Sequence, residues 1–203
     1  MRVYKYTNSA YCKPWSFRLG TLYDYRREEE LGSQIGDKSE GSHHLKYNSE
    51  FEISDEFMAD LGKNQHFSFA WAKGENEGHH FCAITSSNLL VYSAVEHRDD
   101  ELYNSFAESN CCVAINDFEL FAKNIISNIR LPVINWKIAR CTYGPRNWVD
   151  TLGPIPSIAF AKDEAYKHQS EVRLCIEVAA DVVTPLIVNG NKFWKYCSII
   201  HRR

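Results

Sequence analysis

The 203-residue sequence has little net charge, no long apolar run and no paired metal-ligand motif. Its net charge is -3, whereas broad electrostatic binding of duplex nucleic acid requires a basic face. No stretch approaches the ~20 apolar residues that a transmembrane helix needs, and the first residues lead into no apolar signal segment. We therefore expect a cytoplasmic protein with no membrane partner.

The seven cysteines form no Cys-x-x-Cys pair, and their number is odd. Several lie in apolar runs such as 111–115, which predicts buried free thiols rather than disulfides or a reactive nucleophile. The His43-His44 and His79-His80 pairs are candidate metal ligands. Adjacent residues on a strand point to opposite faces, however, and no His-x-x-x-His spacing occurs. We predict no metal site.

The chain has the composition of an ordinary globular protein. Hydrophobic residues make up 44% and charged residues 24%, so a large core is available without disulfides or a metal. No internal repeat, low-complexity tract or convincing linker divides the sequence. We therefore predict one domain over residues 1–203.

The hydrophobic pattern predicts mostly strands. Asn116 begins the clearest helix, with Glu119 three residues later as in a capping box, and Pro132 closes it. Shorter helices are expected at 99–108 and 55–61, and residues 32–44 are expected to form a long loop. In that loop, Asp37 and Glu40 could cover a site or be simply solvated. The expected strands are 2–6, 17–22, 51–53, 67–71, 81–87, 111–115, 136–143, 158–160, 171–178, 183–188 and 196–200.

This pattern predicts an α+β fold, with two twisted, mostly antiparallel sheets packed together and two or three helices. On the late strand, Gln169, Glu171 and Arg173 share one face, and the intervening aliphatic residues share the other. These three polar groups are a candidate site. Alternatively, they form an exposed face on which Glu171 pairs with Arg173 or with a cross-strand partner. Residues 162–168 would form a loop or helical turn before the strand.

Two other groups of side chains could bind a nucleotide. Thr85, Ser86 and Ser87 end an apolar strand and suit a ribose or phosphate, or simply cap a turn. On the first strand, Lys5 and Thr7 share a face. A cation beside a hydroxyl suits a pyrophosphate, although a solvated strand face fits as well.

A basic and aromatic cluster surrounds Gly144-Pro145. Arg140, Tyr143, Arg146 and Trp148 make it up, and such a mixture suits single-stranded nucleic acid through stacking and phosphate contacts. A loop at the edge of the core, with arginines lying along apolar surface, is the competing interpretation. If the protein modifies nucleic acid, we expect Arg146 and Trp148 to contact the substrate.

The order of these motifs resembles that of ADP-ribosyltransferases. In that family a basic residue on the first strand contacts NAD, a hydroxyl-rich strand supports the site, and a Gln/Glu-x-Glu motif supplies the catalytic glutamate. The resemblance places Lys5 in the first position, Thr85, Ser86 and Ser87 in the second, and Gln169 and Glu171 in the third. Here Lys5 replaces the usual Arg or His, and Thr-Ser-Ser replaces Ser-Thr-Ser. The chain also resembles an uncharacterised bacterial domain family of this size at 4–7, 20–22, 35–41 and 162–173.

The resemblance implies a role for each residue. Glu171 would bind the ribose 2′-hydroxyl and stabilise positive charge on the ribose, and Gln169 would orient the acceptor. Tyr6 or Tyr25 would stack on nicotinamide. Lys5 or Arg18, with Thr7 beside Lys5, would hold the pyrophosphate.

The expected function is NAD-dependent ADP-ribosylation of a nucleic acid or protein, with conflict between bacteria and phages as one setting. The alternative is a non-catalytic module that binds a nucleotide or a partner protein on the same fold. Lys5, in place of the Arg or His of the family, favours this alternative.

Overall fold

The computed structural model describes residues 1–12, 15–26, 41–48, 67–73, 79–86, 89–106, 109–144, 147–149, 158–190 and 192–202. Within 42–48, 67–73, 79–86 and 147–149, and at 158 and 201–202, only the backbone is described. The strand predicted at 51–53, the helix predicted at 55–61 and residues 32–40 of the predicted loop lie outside the described residues. Asp37, Glu40, Ser87 and Arg146 do so as well.

The described chain contains helices and a largely antiparallel sheet, so the predicted α+β class is confirmed. The strands are β1 (Val3–Thr7), β2 (Ser16–Thr21), β3 (Ser42–Asn48), β4 (Phe67–Lys73), β5 (His79–Ser86), β6 (Leu90–Val95), β7 (Cys111–Ile115), β8 (Val133–Arg140), β9 (Thr142–Tyr143), β10 (Asn147–Val149), β11 (Ala161–Lys162), β12 (Glu171–Val178), β13 (Leu186–Asn189) and β14 (Cys197–Arg202). The α-helices are α1 (Ser9–Cys12), α2 (Leu22–Tyr25), α3 (Asp100–Ser105) and α4 (Phe118–Asn128). Short 3-10 helices cover Ile158–Phe160, Glu164–Gln169 and Phe193–Lys195.

Among the described residues the main sheet has eight strands, and it forks at β6. One edge of β6 pairs with β12 along its whole length, from Glu171↔Val95 to Ile176↔Leu90, and β8 lies beyond β12. The other edge is shared. β2 pairs with the Leu90 end, and β1 pairs only at Tyr4↔Val95. On the first branch β1 pairs with β7, and β7 pairs with β14. On the second branch β2 pairs with β13. The middle of β6 therefore faces a gap between the two branches.

Two smaller sheets complete the described strands. In the first, β3, β5 and β4 are antiparallel neighbours, and β10 adds parallel to β3. In the second, β9 and β11 form a short parallel pair. This pair is important for the site because β11 ends at Lys162.

The core lies between α4 and the main sheet. Phe118, Phe121 and Ile125 of α4 are fully buried, at the helical spacing that the sequence predicts. The ring of Phe121 lies 4.9 Å from that of Phe17 and 5.1 Å from that of Tyr92. The helix therefore packs against one face of β2 and β6, next to the fork of the sheet.

Several predicted elements need correction. The capping residue of α4 is Asp117, whose carboxylate accepts from the Leu120 N–H, and not Asn116. The strand expected at 158–160 is a 3-10 helix, and β3 begins inside the expected 32–44 loop. β6 and the short helices α1 and α2 were not predicted. β6 escapes a pattern search because buried apolar residues occupy both of its faces and remove the alternation.

The six described cysteine side chains are all buried and none of them forms a disulfide, as predicted for them. The Sγ atoms of Cys12 and Cys111 lie 2.7 Å apart, joining α1 to β7. Among the described residues no helix is long and apolar enough to cross a membrane.

Candidate functional site

A cavity of about 380 Å³ lies at the fork of the main sheet. We call it the central cavity. Its walls come from β1, from the start of β2, from residues 92–95 of β6, and from Lys162, Gln169, Glu171 and Arg173. The cavity therefore lies where β1 and β2 diverge from β6. It brings together seven of the predicted site residues: Lys5, Tyr6, Thr7, Arg18, Tyr25, Gln169 and Glu171.

Glu171 is the centre of a buried group of charges, which we call the Glu171 cluster: Lys162, Gln169, Glu171 and Arg173. Its Oε1 accepts from Nε of Arg173 at 2.6 Å, and its Oε2 accepts from Nζ of Lys162 at 2.6 Å. The same Nζ donates to Oε1 of Gln169 at 2.6 Å. All three charged side chains are at most 5% exposed. The exposed strand face of the alternative interpretation is therefore wrong, because β12 is an interior strand between β6 and β8. The pairing of Glu171 with Arg173, which belonged to that interpretation, is confirmed.

The two cations keep the Glu171 carboxylate ionised. Burial by itself favours the neutral acid, but Arg173 and then Lys162 outweigh it and hold the pKa of Glu171 well below its usual value. Arg173 is anchored in turn, since its Nη1 donates to the Ala159 carbonyl at 2.8 Å. The cluster thus offers a fixed negative charge held between two positive ones.

A sharp local turn positions the two motif residues. Gln169 ends a 3-10 helix rather than belonging to the strand, which begins at Glu171. Between them, Ser170 adopts the left-handed conformation with φ 42° and ψ 52°. The prediction that residues 162–168 form a helical turn before the strand is largely confirmed, because the 3-10 helix starts at Glu164. Gln169 and Glu171 therefore come together because both bind the ammonium group of Lys162, and not because they alternate along one strand.

The backbone of Glu171 is fixed from the opposite side. Its N–H donates to the hydroxyl of Tyr143 at 2.6 Å, and its carbonyl accepts from the Cys141 N–H at 2.8 Å. Burial raises the pKa of Tyr143, so its hydroxyl stays protonated. Tyr143 belongs to the predicted basic and aromatic cluster, whereas exposed Arg140 of that cluster pairs with Glu96 at 2.7 Å.

Lys5 bridges the gap in the sheet. Its Nζ donates to the backbone carbonyl of Ser93 at 2.7 Å and lies 5.0 Å from the centre of the Tyr92 ring. Burial lowers the pKa of Lys5 to about 8. Glu171 opposes this shift, while Arg18 and Lys162 add to it. The first-strand basic residue of the predicted motif is therefore a wall of the cavity and a neighbour of the Glu171 cluster.

Two tyrosines and an arginine also line the cavity. Arg18 forms an ion pair with the buried carboxylate of Asp24. Burial, and next the negative charge of Glu171, raise the pKa of Tyr25 to about 12. Tyr6 is held more tightly: its ring packs against Tyr103 at 5.3 Å, and its hydroxyl donates to the Asp99 carbonyl at 2.9 Å.

The remaining predicted residues are described only in part. Thr85 and Ser86 lie at the end of β5. Thr85 pairs with Ser42 of β3 and Ser68 of β4, and Ser86 pairs with Phe67 of β4. Only the backbone of these residues is described. Trp148 lies on β10 opposite Leu45, again as backbone only. Ser87 and Arg146 fall outside the described residues. Their contribution to a site stays a prediction.

Sequence reasoning gave no role in the site to Lys162 or Ser93, and it placed Tyr143 only in the basic and aromatic cluster. Lys162 carries a signal in retrospect, because it directly follows the apolar stretch 158–161 and is followed by Asp163, which caps a helix. A lysine that continues an apolar run is a candidate for a buried ion pair. No comparable signal in the sequence marks Ser93, whose backbone carbonyl accepts a hydrogen bond from Lys5.

The described side chains include no group of three His, Cys, Asp or Glu that could hold a metal ion. His43, His44, His79, His80 and Cys82 lie on strands described as backbone only. Comparison with known proteins gives no match: no family model, no curated protein and no solved structure is significantly similar to this chain.

Proposed function

We propose that the central cavity binds NAD and that the protein transfers ADP-ribose from it to a macromolecule. One observation carries the proposal. An ionised carboxylate, a neighbouring glutamine, cationic side chains and aromatic rings line the same cavity, in the chain order of the Gln/Glu-x-Glu transferases. The volume of about 380 Å³ lies in the range of ligand-binding cavities. The finer expectation of an ADP-ribosyltransferase-like arrangement belongs to this proposal.

Two cationic side chains indicate where the diphosphate of NAD would bind. Lys5 and Arg18 face the cavity from β1 and β2, so a diphosphate between them would meet one positive charge from each branch of the fork. Thr7 lies on β1 two residues from Lys5 and supplies a hydroxyl to the same wall. A bound dianion would favour the protonated form of Lys5 and raise its pKa.

Tyr25 is the better of the two tyrosines for stacking on nicotinamide. The Tyr6 ring already packs against Tyr103 and Phe106, and its hydroxyl both donates to and accepts from the backbone of Asp99. Tyr25 lies on the opposite branch of the fork, near Glu171. A planar ring beside the ionised carboxylate suits a positively charged pyridinium.

Glu171 would act on the ribose. A carboxylate offers about four acceptor positions, and the two described side-chain hydrogen bonds use two of them. The ribose 2′-hydroxyl could therefore donate to Glu171 without displacing Lys162 or Arg173. When the bond between C1′ and the nicotinamide nitrogen breaks, nicotinamide leaves with the electron pair, and the ribose develops positive charge beside Glu171. Gln169 would orient the acceptor.

A second candidate function is a non-catalytic module that binds a nucleotide. Both oxygens of Glu171 already contact cations, and Lys162, Glu171 and Arg173 together carry one net positive charge. A net positive group opposes positive charge on the ribose. This arrangement would bind a nucleotide well and catalyse poorly.

NAD labelled in the adenylate phosphate separates the two candidates. The purified protein is incubated with this NAD and a cell lysate, and nicotinamide release and label transfer are measured. Transfer that Glu171→Gln lowers at least 100-fold, with NAD affinity within about threefold in calorimetry, supports the transferase. Binding without turnover supports the module. Glu119→Gln on the exposed face of α4 is the matched control and should change neither quantity. Turnover that survives Glu171→Gln would show that the proposed mechanism is wrong.

A further inference from the structure

The charges around the central cavity do not balance. Lys5, Arg18, Lys162 and Arg173 line it, and Glu171 is the one carboxylate among the described lining residues. Asp24 pairs with Arg18 from α2. These six groups leave two net positive charges. NAD brings two negative charges on its diphosphate and one positive charge on its pyridinium ring, so the loaded site would keep one positive charge.

The described lining also offers no group able to remove a proton from an acceptor at neutral pH. It contains no histidine. The cations beside Glu171 hold its pKa well below the usual value, and burial raises the pKa of Tyr25 to about 12. Lys5 is the remaining amine with a shifted pKa, about 8, and a bound diphosphate would keep it protonated.

We infer that the acceptor is a carboxylate side chain of a protein, an inference that rests on the proposed function. A carboxylate arrives ionised, needs no base and neutralises the charge that NAD leaves uncompensated. A guanidinium or ammonium acceptor would first have to lose a proton, and it would bring a like charge towards Lys162 and Arg173. A hydroxyl acceptor would need the base that the described lining does not supply.

The step balances without any proton transfer. One carboxylate oxygen of the acceptor forms a bond to C1′ of the ribose, and the bond from C1′ to the nicotinamide nitrogen breaks. The electron pair of that bond stays on nicotinamide, which leaves as a neutral molecule. The product is an ADP-ribosyl ester. Gln169, fixed at Oε1 by Lys162, lies beside Glu171, where an incoming acceptor would pass.

Acceptor competition tests the inference. The full chain is given labelled NAD with an equimolar set of otherwise identical peptides that carry glutamate, glutamine, arginine or serine at one position, together with a 5′-phosphorylated single-stranded oligonucleotide. We expect at least tenfold more label on the glutamate peptide than on any other member. The label should be released by neutral hydroxylamine, which cleaves esters. The initial rate should change less than threefold between pH 6 and pH 8, because the acceptor is ionised throughout.

Each other outcome contradicts the inference in a recognisable way. Preferential label on the glutamine, arginine or serine peptide overturns the carboxylate acceptor and leaves the proposed function standing. Nicotinamide release without label on any peptide or on the oligonucleotide means that water is the acceptor, which overturns both the inference and the transferase. Label mainly on the oligonucleotide phosphate shows an anionic acceptor of the wrong class. No nicotinamide release with any acceptor overturns both the inference and the transferase on which it rests.

Discussion

The ammonium nitrogen of Lys162 lies 2.6 Å from Oε1 of Gln169 and 2.6 Å from Oε2 of Glu171. One buried side chain on β11 thus joins both members of the Gln-x-Glu motif. It does so across Ser170, whose left-handed conformation separates the 3-10 helix that ends at Gln169 from the strand that begins at Glu171. The geometry of the candidate site therefore depends on a residue outside the motif.

Replacing Lys162 by methionine should destabilise the fold strongly. The variant leaves Glu171 buried with one cationic partner and leaves the Gln169 oxygen without this donor. Breaking a buried ion pair on one side typically costs about 3–5 kcal/mol. Urea denaturation of the wild type and the variant measures the free energy of unfolding. Lys123→Met, which removes an exposed pair with Glu119 on α4, is the control and should cost about 0.5 kcal/mol or less. Equal costs for the two variants would contradict a structural role of Lys162.

Acid should destabilise the protein through Glu171. The folded pKa of this group lies below the unfolded value, so the unfolded chain takes up a proton first as the pH falls. The stabilisation is complete above about pH 4.5 and is lost as the pH falls below that value. Between pH 4.5 and pH 2.5 the loss should be about 2–3 kcal/mol.

Urea denaturation at a series of pH values measures this loss, with Glu171→Gln as the comparison. The variant lacks the titrating carboxylate, so its free energy of unfolding should fall less steeply over the same range. Parallel pH profiles would mean that Glu171 does not keep a lowered pKa in the folded protein.

Lys5 should give a dependence of the same sign at alkaline pH, with stability rising as the pH rises. Its folded pKa of about 8 lies below the usual lysine pKa of 10.5, so between these values the unfolded chain binds a proton that the folded chain does not. The stability of the wild type should therefore rise relative to Lys5→Met by about 1–3 kcal/mol from pH 8 to pH 10.5. Denaturation of both proteins at these two pH values gives the difference. A flat difference would place the folded pKa of Lys5 at its ordinary value.

A substitution at Gly20 should disturb the cavity through Tyr25. A Cβ atom at Gly20 would lie 2.8 Å from Cε2 of the Tyr25 ring, so the ring must move away from its position in the cavity wall. Gly20→Ala should weaken NAD binding in calorimetry about tenfold or more, which corresponds to about 1.4 kcal/mol. Gly144→Ala is the control, because nothing lies within 4 Å of an added Cβ there. Unchanged affinity in Gly20→Ala would exclude Tyr25 as the stacking residue.

The helix α4 supports the fork through Phe121. This side chain is fully buried against Phe17, Tyr92 and Phe193. Phe121→Ala should lower the free energy of unfolding by about 3–5 kcal/mol through lost burial and a cavity. Leu120 on the same helix is 45% exposed, and Leu120→Ala should cost less than about 1 kcal/mol. Comparable losses would contradict the orientation of α4.

Part of the candidate site could be predicted from the sequence. Lys5, Arg18, Gln169 and Glu171 were grouped by residue type and chain order, and the structure does line one cavity with them. The hydroxyl-rich segment at 85–87 was grouped with them, and its side chains lie outside the described residues. Residue types report which chemistry is available, but they do not report which partners a side chain has.

By itself, the sequence determined the α+β class, the amphipathic helix α4 and the strand Glu171–Val178, because local periodicity and capping depend on neighbours in the chain. Tertiary structure alone decided that β12 is buried on both faces, that β6 exists and that the main sheet forks beside it. It also decided that Lys162 and Arg173 hold Glu171 ionised. These features arise from strand pairing and charge contacts between separate elements. Periodicity along one segment carries no record of which distant segment will lie beside it.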